Sequence, residues 1–349
     1  MNRHLGMNYF EYSHPFALEN GQTLPALTIA YHTFGELNAK KSNVVWICHA
    51  LTANSNPLDW WSGVTAEGKA INPQEHFIIC ANILGSCYGS TGPLSVNPET
   101  GQPYYATFPQ VTIRDMVKVH ALLREQLGIE KIYLLAGGSM GGYQALEWCV
   151  LEPDRIENLF LLATSATESA WGIAIHTTQR LAIEADGTFG ENSDTAGSKG
   201  LKAARAVGIL TYRSFQILEQ NQTDPDVEKL DNYRVSSYIN YQGDKLVNRF
   251  NAYSYWILTK AMDSHHLARG RGGKLAEVLQ QIHQKTLVIG ISSDVLCPVQ
   301  EQKFIAQHVP NAQYVEIESD YGHDGFIIES KRITQALQDW LPGQLGIAQ

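Results

Sequence analysis

A serine between glycines carries the clearest chemistry in this sequence. The run Gly137-Gly138-Ser139-Met140-Gly141 has the spacing G-x-S-x-G; an apolar, β-rich stretch precedes it and a helical pattern follows. Such a strand-to-helix turn holds the serine in a strained conformation and exposes its hydroxyl at the end of a sheet. The helix N-terminus lies at the same place and favours developing negative charge. The pattern predicts an acyl-transfer nucleophile; an ordinary glycine-rich turn is the alternative.

A nucleophilic serine needs a base to take its proton and a carboxylate to hold that base. Asp294 directly follows the apolar run KTLVIGI, and His323 follows VEIES in the loop SDYGHDGF. In α/β-hydrolases the chain order is serine, acid, histidine, with the last two on loops after late strands. The joint placement predicts that Ser139, Asp294 and His323 form a catalytic triad.

Two backbone N–H groups are also predicted to act at this site. An oxyanion hole needs two donors aimed at the developing charge. The residue after the nucleophile, Met140, should supply one of them. The loop after the early strand NVVWICHA should supply the other, and we assign it to the backbone of Leu51 on position alone.

The elements that must position these residues alternate between strand and helix. Near-continuous apolar runs predict parallel strands that are covered on both faces. These runs are residues 43–50, 76–83, 131–137, 157–164 and 285–291. A helical pattern over 112–129 separates two of them, which indicates a mostly parallel sheet with helices on both faces. Upstream, alternating residues around Asn20-Gly21 predict an antiparallel hairpin.

The alternation stops between about 166 and 280, where helical patterns continue without strand signals. We therefore predict a catalytic domain of residues 1–165 and 281–349, with a helical lid inserted over 166–280. The lid is rich in aromatic residues, most of which we assign to its own core and some to a tunnel or a dimer surface. They are Tyr212, Phe215, Tyr233, Tyr238, Tyr241, Phe250, Tyr253, Tyr255 and Trp256.

The composition excludes several classes of partner. A formal charge of −9 over 349 residues argues against binding to nucleic acid or an anionic membrane. No run of 18 apolar residues predicts a membrane span, and the N-terminal residues lack the apolar core of a signal peptide. Five widely spaced cysteines suggest reduced thiols in a cytoplasmic protein. Neither a CxxC pair nor an HExxH motif occurs, so no metal site is expected.

Longer motifs narrow the chemistry further. The segments CHALTANS, NILGSCYGSTGPLSVNPETGQPY, FPQVTIRDMV, GGSMGGYQALEW, GILTYRS and GHDGF, among others, resemble homoserine O-acetyltransferases of the α/β-hydrolase type, and the likeness spans about residues 10–340. The resemblance implies the α/β-hydrolase fold, acetyl-CoA as donor, L-homoserine as acceptor and a role in methionine biosynthesis. It also implies a homodimer formed through the lid helices, and no permanently bound cofactor.

The resemblance implies two substrate-binding residues as well. The arginine of its T-Y-R-S segment corresponds to Arg213, which would bind the homoserine carboxylate through paired hydrogen bonds. The aspartate after the histidine corresponds to Asp324, which would bind the α-ammonium. The chain departs from the family at Tyr143, where methionine is common, and at Gly325, where alanine is common. We expect both positions near the acyl or entrance region.

Three other functions remain open on the sequence. The same fold could use succinyl-CoA, for which a further cation would be needed in the donor pocket. A plain carboxylesterase would use the same triad but would have no need of Arg213 and Asp324. A non-catalytic binding protein of this fold would not need an intact triad. The mechanism that we expect is a two-step transfer through an acetyl-serine intermediate.

Overall fold

The computed structural model describes residues 6–341, and ten strands lie within them. The strands are β1 (Asn8–Tyr12), β2 (Phe16–Ala17), β3 (Thr23–Leu24), β4 (Leu27–Phe34), β5 (Val44–Cys48), β6 (Phe77–Ala81), β7 (Ile132–Gly138), β8 (Ile156–Leu162), β9 (Lys285–Ile291) and β10 (Ala312–Ile317). Eight form one sheet in the order β1-β4-β6-β5-β7-β8-β9-β10. β1, β4 and β6 pair antiparallel, and every pair from β6 to β10 is parallel. The predicted, mostly parallel sheet is confirmed.

Twelve α-helices are also described. They are α1 (Pro57–Trp60), α2 (Ile113–Gln126), α3 (Met140–Leu151), α4 (Ala170–Glu184), α5 (Ser198–Tyr212), α6 (Phe215–Gln222), α7 (Arg234–Val247), α8 (Ala252–Asp263), α9 (Leu275–Leu279), α10 (Val299–His308), α11 (Gly325–Ile328) and α12 (Ser330–Trp340). Short 3-10 helices occupy Tyr105–Thr107, Pro153–Arg155 and Gly322–Asp324. None of the helices within residues 6–341 combines the length and apolar character that crossing a bilayer requires.

Strand β5 shows why apolar runs in the sequence correctly predicted the buried strands. All five of its residues are buried, and successive side chains alternate between the two faces of the sheet. Trp46 and Cys48 belong to the core on the α2 and α3 side, whereas Val45 and Ile47 belong to the core on the α12 side. A strand covered on both faces must be apolar throughout, which is the signal that the sequence carries.

The two edge strands, β1 and β10, carry no such signal. Both are only partly buried, so polar residues interrupt their patterns and no continuous apolar run marks them. The hairpin around Asn20-Gly21 is confirmed, since β2 pairs antiparallel with β3. The helix predicted over 112–129 is α2. Thr112 caps it in a capping box with Asp115, and Gly128 follows its end at φ +64°.

Between β8 and β9 the structure has the six helices α4 to α9. The chain that returns from them is fixed by a half-buried ion-pair network. Arg271 and Arg114 both bind the Glu147 carboxylate of α3, at 2.5 and 2.7 Å. Arg114 and Arg269 also bind Glu19 of the β2–β3 hairpin, at 2.6 and 2.7 Å. The network joins the end of the helical segment to the sheet region. The division into a catalytic domain and a lid stays a prediction.

Candidate active site

The turn between β7 and α3 has the strained geometry that its glycines suggest. Ser139 lies at φ 54° and ψ −129°, and its N–H donates to the Leu162 carbonyl at 3.0 Å. A Cβ on Gly141 would come within 2.1 Å of the Cys48 carbonyl oxygen, and one on Gly137 within 2.2 Å of the Gly141 oxygen. Any larger residue at either position would therefore open the turn, and the strain at Ser139 is held by the surrounding backbone.

The structure brings Ser139, His323 and Asp294 together in one line of hydrogen bonds. The Nε2 atom of His323 lies 2.9 Å from the Ser139 Oγ atom, and its Nδ1 atom lies 2.6 Å from the Asp294 Oδ2 atom. The other oxygen of Asp294 accepts from the N–H groups of Leu296 and Cys297, at 2.8 and 2.9 Å. All three side chains are buried, so the geometry is fixed before any substrate binds.

The electrostatic surroundings suit a base at His323. Burial alone would lower the pKa of its imidazole. The charge and hydrogen bond of Asp294, together with the charges of Asp324 and Glu301, outweigh burial, so the pKa of His323 is raised. Nearby, burial raises the pKa of Glu301 to about 8, and the Glu168 and Asp294 carboxylates add to the shift. The imidazole is thus ready to accept a proton from Ser139.

One other side chain comes close enough to the triad to raise the question of a metal. Ligand atoms of Cys297, Asp294 and His323 lie within 4.8 Å of one another. Burial raises the pKa of the Cys297 thiol well above its ordinary value and keeps it protonated. Asp294 and His323 are already bonded to each other. The three groups therefore fit a hydrogen-bonded triad better than a set of metal ligands.

Two backbone donors are free beside the nucleophile. Among residues 6–341, the N–H groups of Met140 and Leu51 donate to no other residue. His49 Nδ1 lies 2.8 Å from the Ala50 carbonyl oxygen, and its Nε2 accepts the Ile83 N–H at 3.2 Å. Burial lowers the pKa of His49 to about 4, so the ring is neutral and carries its proton on Nδ1. Because the Ala50 carbonyl and the Leu51 N–H share one peptide plane, His49 also fixes the direction of that N–H.

A cavity of about 400 Å³ opens above the triad. Ser139, His323 and Leu51 lie in its wall, as do residues of the helices between β8 and β9. These residues are His176, Arg205, Tyr212, Lys245, Arg249 and Met262, where Arg249 lies two residues past the end of α7. Of the group, Lys245 and Arg249 are exposed. Such a cavity can hold a small substrate against the serine, with its upper wall built by the helical segment.

The two predicted substrate residues meet, but they do not share the cavity. The Arg213 Nε atom lies 3.1 Å from the Asp324 Oδ2 atom. Asp324 lines the cavity, whereas Arg213 lines a separate recess with Ile217 and Tyr321. Burial raises the pKa of Asp324, while Arg213 is the largest of the groups that oppose the shift. The two side chains therefore neutralise each other's charge.

Tyr143 does not lie where we expected it. It is buried in α3, its hydroxyl donates to Glu168 Oε2 at 3.0 Å, and its ring stacks on His265 at a centroid distance of 4.3 Å. It is absent from the residues that line the cavity. Gly325 is packed so that a Cβ would come within 2.7 Å of Ile291 Cγ2. Both departures from the family pattern are therefore matters of local packing.

Sequence reasoning missed three cations of the cavity wall: Arg205, Lys245 and Arg249. Arg205 and Tyr212 are seven residues apart on α5, a spacing that places two side chains on one helix face. That spacing could have identified Arg205. Arg249 donates to the Thr52 carbonyl at 2.5 Å, which no pattern in the sequence indicates.

Comparisons with known proteins give one result. A family model described as the alpha/beta hydrolase fold matches residues 43–330. A homoserine O-acetyltransferase from Cyclobacterium marinum is 48% identical over 324 residues, which are 93% of this chain and 92% of that protein. The crystal structure of a homoserine O-acetyltransferase from Bacillus anthracis superposes with a TM-score of 0.87 at 26% identity, over 97% of this chain and 98% of that one. An acetylester hydrolase from Corynebacterium glutamicum reaches 0.84 at 24% identity over 95% of each chain, and shares the fold alone.

Proposed function

This chain belongs to the homoserine O-acetyltransferases of the α/β-hydrolase fold, and we propose that it moves the acetyl group of acetyl-CoA to the hydroxyl of L-homoserine. One observation carries the proposal: an unbroken line of hydrogen bonds runs from Ser139 through His323 to Asp294 at the cavity wall. A serine held in this way can accept an acyl group from a thioester and pass it on.

In the first half-reaction His323 takes the proton of the Ser139 hydroxyl, and the serine oxygen forms a bond to the thioester carbonyl carbon. The carbonyl oxygen becomes an oxyanion, which the N–H groups of Met140 and Leu51 stabilise. The intermediate collapses when the carbon–sulfur bond breaks, and the proton on His323 goes to the CoA thiolate. Ser139 is left as an acetyl ester. Each oxyanion donor contributes about 10²- to 10³-fold to the rate.

In the second half-reaction His323 takes the proton of the homoserine hydroxyl, which attacks the acetyl ester. The same two N–H groups stabilise the second oxyanion. The ester bond to Ser139 breaks, and the serine oxygen recovers its proton from His323. The acceptor must outcompete water, so its position in the cavity decides whether the reaction is a transfer or a hydrolysis.

The acceptor is a zwitterion, and the site offers it one charge of each sign. As the resemblance implies, we assign its α-ammonium to Asp324 and its carboxylate to the arginine side of the Arg213–Asp324 pair. Because that pair is closed at 3.1 Å without a ligand, a carboxylate at Arg213 must compete with Asp324 for the same guanidinium. A second cation in the cavity would remove this conflict.

Acetyl-CoA is the donor that the family implies, and the exposed Lys245 and Arg249 beside the cavity suit its phosphates. Succinyl-CoA is the alternative donor. Its extra carboxylate would need a cation inside the cavity. Acetylation activates the homoserine hydroxyl as a leaving group, and, as the resemblance implies, we assign the product to methionine biosynthesis. No permanently bound cofactor is needed for the two steps.

Two further features of the family are proposed for this chain. Apolar side chains of the helical segment are exposed: Leu210 of α5 at 61%, Phe215 of α6 at 73% and Leu230, in the loop before α7, at 91%. We assign this surface to a homodimer formed through the lid helices. All five cysteines are free thiols, as a cytoplasmic protein would keep them. Sedimentation should give twice the mass of the chain; a monomer at micromolar concentration would contradict the dimer.

The activity is tested by one assay of CoA release with a thiol reagent. Acetyl-CoA and succinyl-CoA are each supplied with and without L-homoserine. Release that requires both acetyl-CoA and homoserine, with parallel double-reciprocal lines, supports the two-step transfer. Continued turnover without homoserine, beyond the burst of CoA that acetylates Ser139 once, identifies a hydrolase. Faster release from succinyl-CoA identifies the other donor, and intersecting lines would exclude an acetyl-serine intermediate.

A further inference from the structure

One side chain of the helical segment, Arg249, reaches the loop that carries an oxyanion donor. Its Nη1 atom donates to the Thr52 carbonyl oxygen at 2.5 Å and to the Tyr88 hydroxyl at 2.6 Å, and its Nη2 atom lies 3.4 Å from the Thr52 Oγ1 atom. Thr52 lies in the loop after β5 and Tyr88 in the loop after β6. One guanidinium therefore joins three separate parts of the chain, which its planar fork of donors allows.

The surroundings of Arg249 hold it in this place. The Cys87 thiol donates to the Arg249 carbonyl oxygen at 3.7 Å. The Tyr88 carbonyl accepts from the Asn82 side chain at 2.7 Å, and the Asn82 Oδ1 atom accepts the Ser55 N–H at 2.8 Å, so the two loops are bonded to each other. These contacts give a role to the motif NILGSCYGSTGPLSVNPETGQPY, which the proposed function does not otherwise use.

The bond to Thr52 lies next to the oxyanion donor. The turn at residues 50–53 carries the Leu51 N–H, and the N–H of its last residue donates to the carbonyl of its first at 3.0 Å. His49 binds that same carbonyl from the sheet side. Arg249 binds the Thr52 carbonyl, which shares a peptide plane with the N–H that closes the turn. The turn is therefore held by His49 on one side and by Arg249 on the other.

We propose that Arg249 is a positioning residue of the oxyanion hole. It joins the helical segment to the turn that carries the Leu51 N–H, so the hole keeps its working geometry only while that segment lies on the sheet region. The inference rests on the proposed function and changes one part of it. The Nη1 atom of Arg249 is engaged by the two loops, which leaves the exposed Lys245 as the cation for the CoA phosphates.

The test compares two donors, acetyl-CoA and the acetyl thioester of N-acetylcysteamine, which lacks the phosphates. Arg249→Met should lower kcat by about 10-fold with little change in KM for acetyl-CoA, the effect of one misaligned hydrogen bond. Because both half-reactions use the same oxyanion hole, kcat/KM for the small thioester should fall by the same factor. Lys245→Met should instead raise KM for acetyl-CoA and leave the small thioester unchanged.

Three further variants separate positioning from packing. Tyr88→Phe removes one acceptor of Arg249 and keeps every charge, so kcat should fall by about 3-fold with both donors. Arg271→Met cuts another bond between the helical segment and the sheet region, its ion pair with Glu147, and should cost stability but leave kcat unchanged below the melting temperature. In the double variant of His49→Leu and Arg249→Met the losses in kcat should be less than multiplicative, because both loosen one turn.

Other results would overturn the inference. A loss in Arg249→Met that appears with acetyl-CoA alone would assign Arg249 to the CoA phosphates. An equal fall of kcat in Arg271→Met would mean that any loosening of the helical segment has this effect. Multiplicative losses in the double variant would mean that His49 and Arg249 act on different groups.

The failure of the proposed function has a different signature. Wild-type enzyme that shows no homoserine-dependent turnover with either donor contradicts the transferase itself. Single-turnover acetylation of Ser139 still measures the oxyanion hole in that case, and slower acetylation in Arg249→Met would uphold the role of Arg249. If the wild type transfers acetyl groups and Arg249→Met acetylates Ser139 at the wild-type rate, only the role of Arg249 is wrong.

Discussion

The lower wall of the cavity, formed by loops after the strands, and its upper wall, formed by the helical segment, differ in how their polar side chains are paired. Below, Ser139, Asp294 and His323 come from the loops after β7, β9 and β10 respectively, and hydrogen bonds join the three side chains to one another. Above, the helical segment contributes Arg205, which has no hydrogen bond within the described residues, and Arg213 follows it with an Nε that faces Asp324 but makes no well-directed hydrogen bond. The catalytic side chains are therefore preorganised, whereas these arginines still have N–H donors without a hydrogen-bond partner among the described residues.

The difference follows from how each wall is held. Of the strands below, β7 and β9 are buried on both faces and fix their loops from two sides, whereas β10 is a partly buried edge strand. The helices above pack on one another, and α8 also joins the core on the α2 and α3 side through Ile257 and Leu258. Polar contacts such as Arg271–Glu147 and Arg249–Thr52 connect the same helical segment to the sheet region. A site divided in this way can keep one mechanism while its substrate changes, because the side chains that choose the substrate lie on separate elements.

The largest expected loss of activity comes from replacing the nucleophile in the lower wall. Ser139→Ala removes the atom that carries the acetyl group, so turnover should fall on the order of 10⁵- to 10⁶-fold. Intact-protein mass spectrometry after incubation with acetyl-CoA should show the added acetyl mass on wild type and none on the variant. Ser193→Ala, in an exposed loop, is the control. Acetyl label retained by Ser139→Ala would move the nucleophile to another residue.

The next effect separates the charge of Asp294 from its position. Asp294→Asn should lower kcat by about 10⁴-fold, because the amide favours the wrong imidazole tautomer. The acetylation rate needs neutral His323 and is lost as pH falls through the pKa of His323, which Asp294 raises. The variant should therefore move this acidic limb to lower pH. A limb that stays in place would mean that another group sets it.

A smaller effect is expected at His49, which aims one oxyanion donor. His49→Leu releases the Ala50 carbonyl, so the Leu51 N–H loses its fixed direction, and kcat should fall by about 10²-fold with little change in KM. His49→Asn keeps an N–H near the position of Nδ1 and should recover most of the rate. Equal losses in both variants, with equal losses of stability, would reduce His49 to a packing residue.

The two walls also differ in what could be predicted from the sequence. Apolar runs in the sequence identified the buried strands, and the loops after two of them contain Ser139 and Asp294. His323 was found in the loop after VEIES, which ends the partly buried strand β10. The edge strands β1 and β10 were not among the predicted apolar runs, because partial burial allows polar residues to interrupt their sequences. The position of Arg205 in the cavity wall was not predicted for a related reason. An arginine on an amphipathic helix is indistinguishable from a solvent-exposed charge until the surface that the helix packs against is known. Only tertiary packing turns that helix face into a cavity wall.

The smallest effect tests whether the helix behind the nucleophile takes part in donor choice. Tyr143→Phe removes a hydroxyl that donates to Glu168 and leaves the ring stacked on His265. Loss of one buried hydrogen bond should cost about 1–2 kcal/mol, a fall in Tm of about 1–3 °C for a chain of this length. Because Tyr143 does not line the cavity, the kinetic constants for acetyl-CoA and succinyl-CoA should both hold. A marked change in the ratio of kcat/KM for the two donors would mean that a residue outside the cavity wall influences donor choice. The separation between catalytic and substrate-binding residues would then fail at Tyr143.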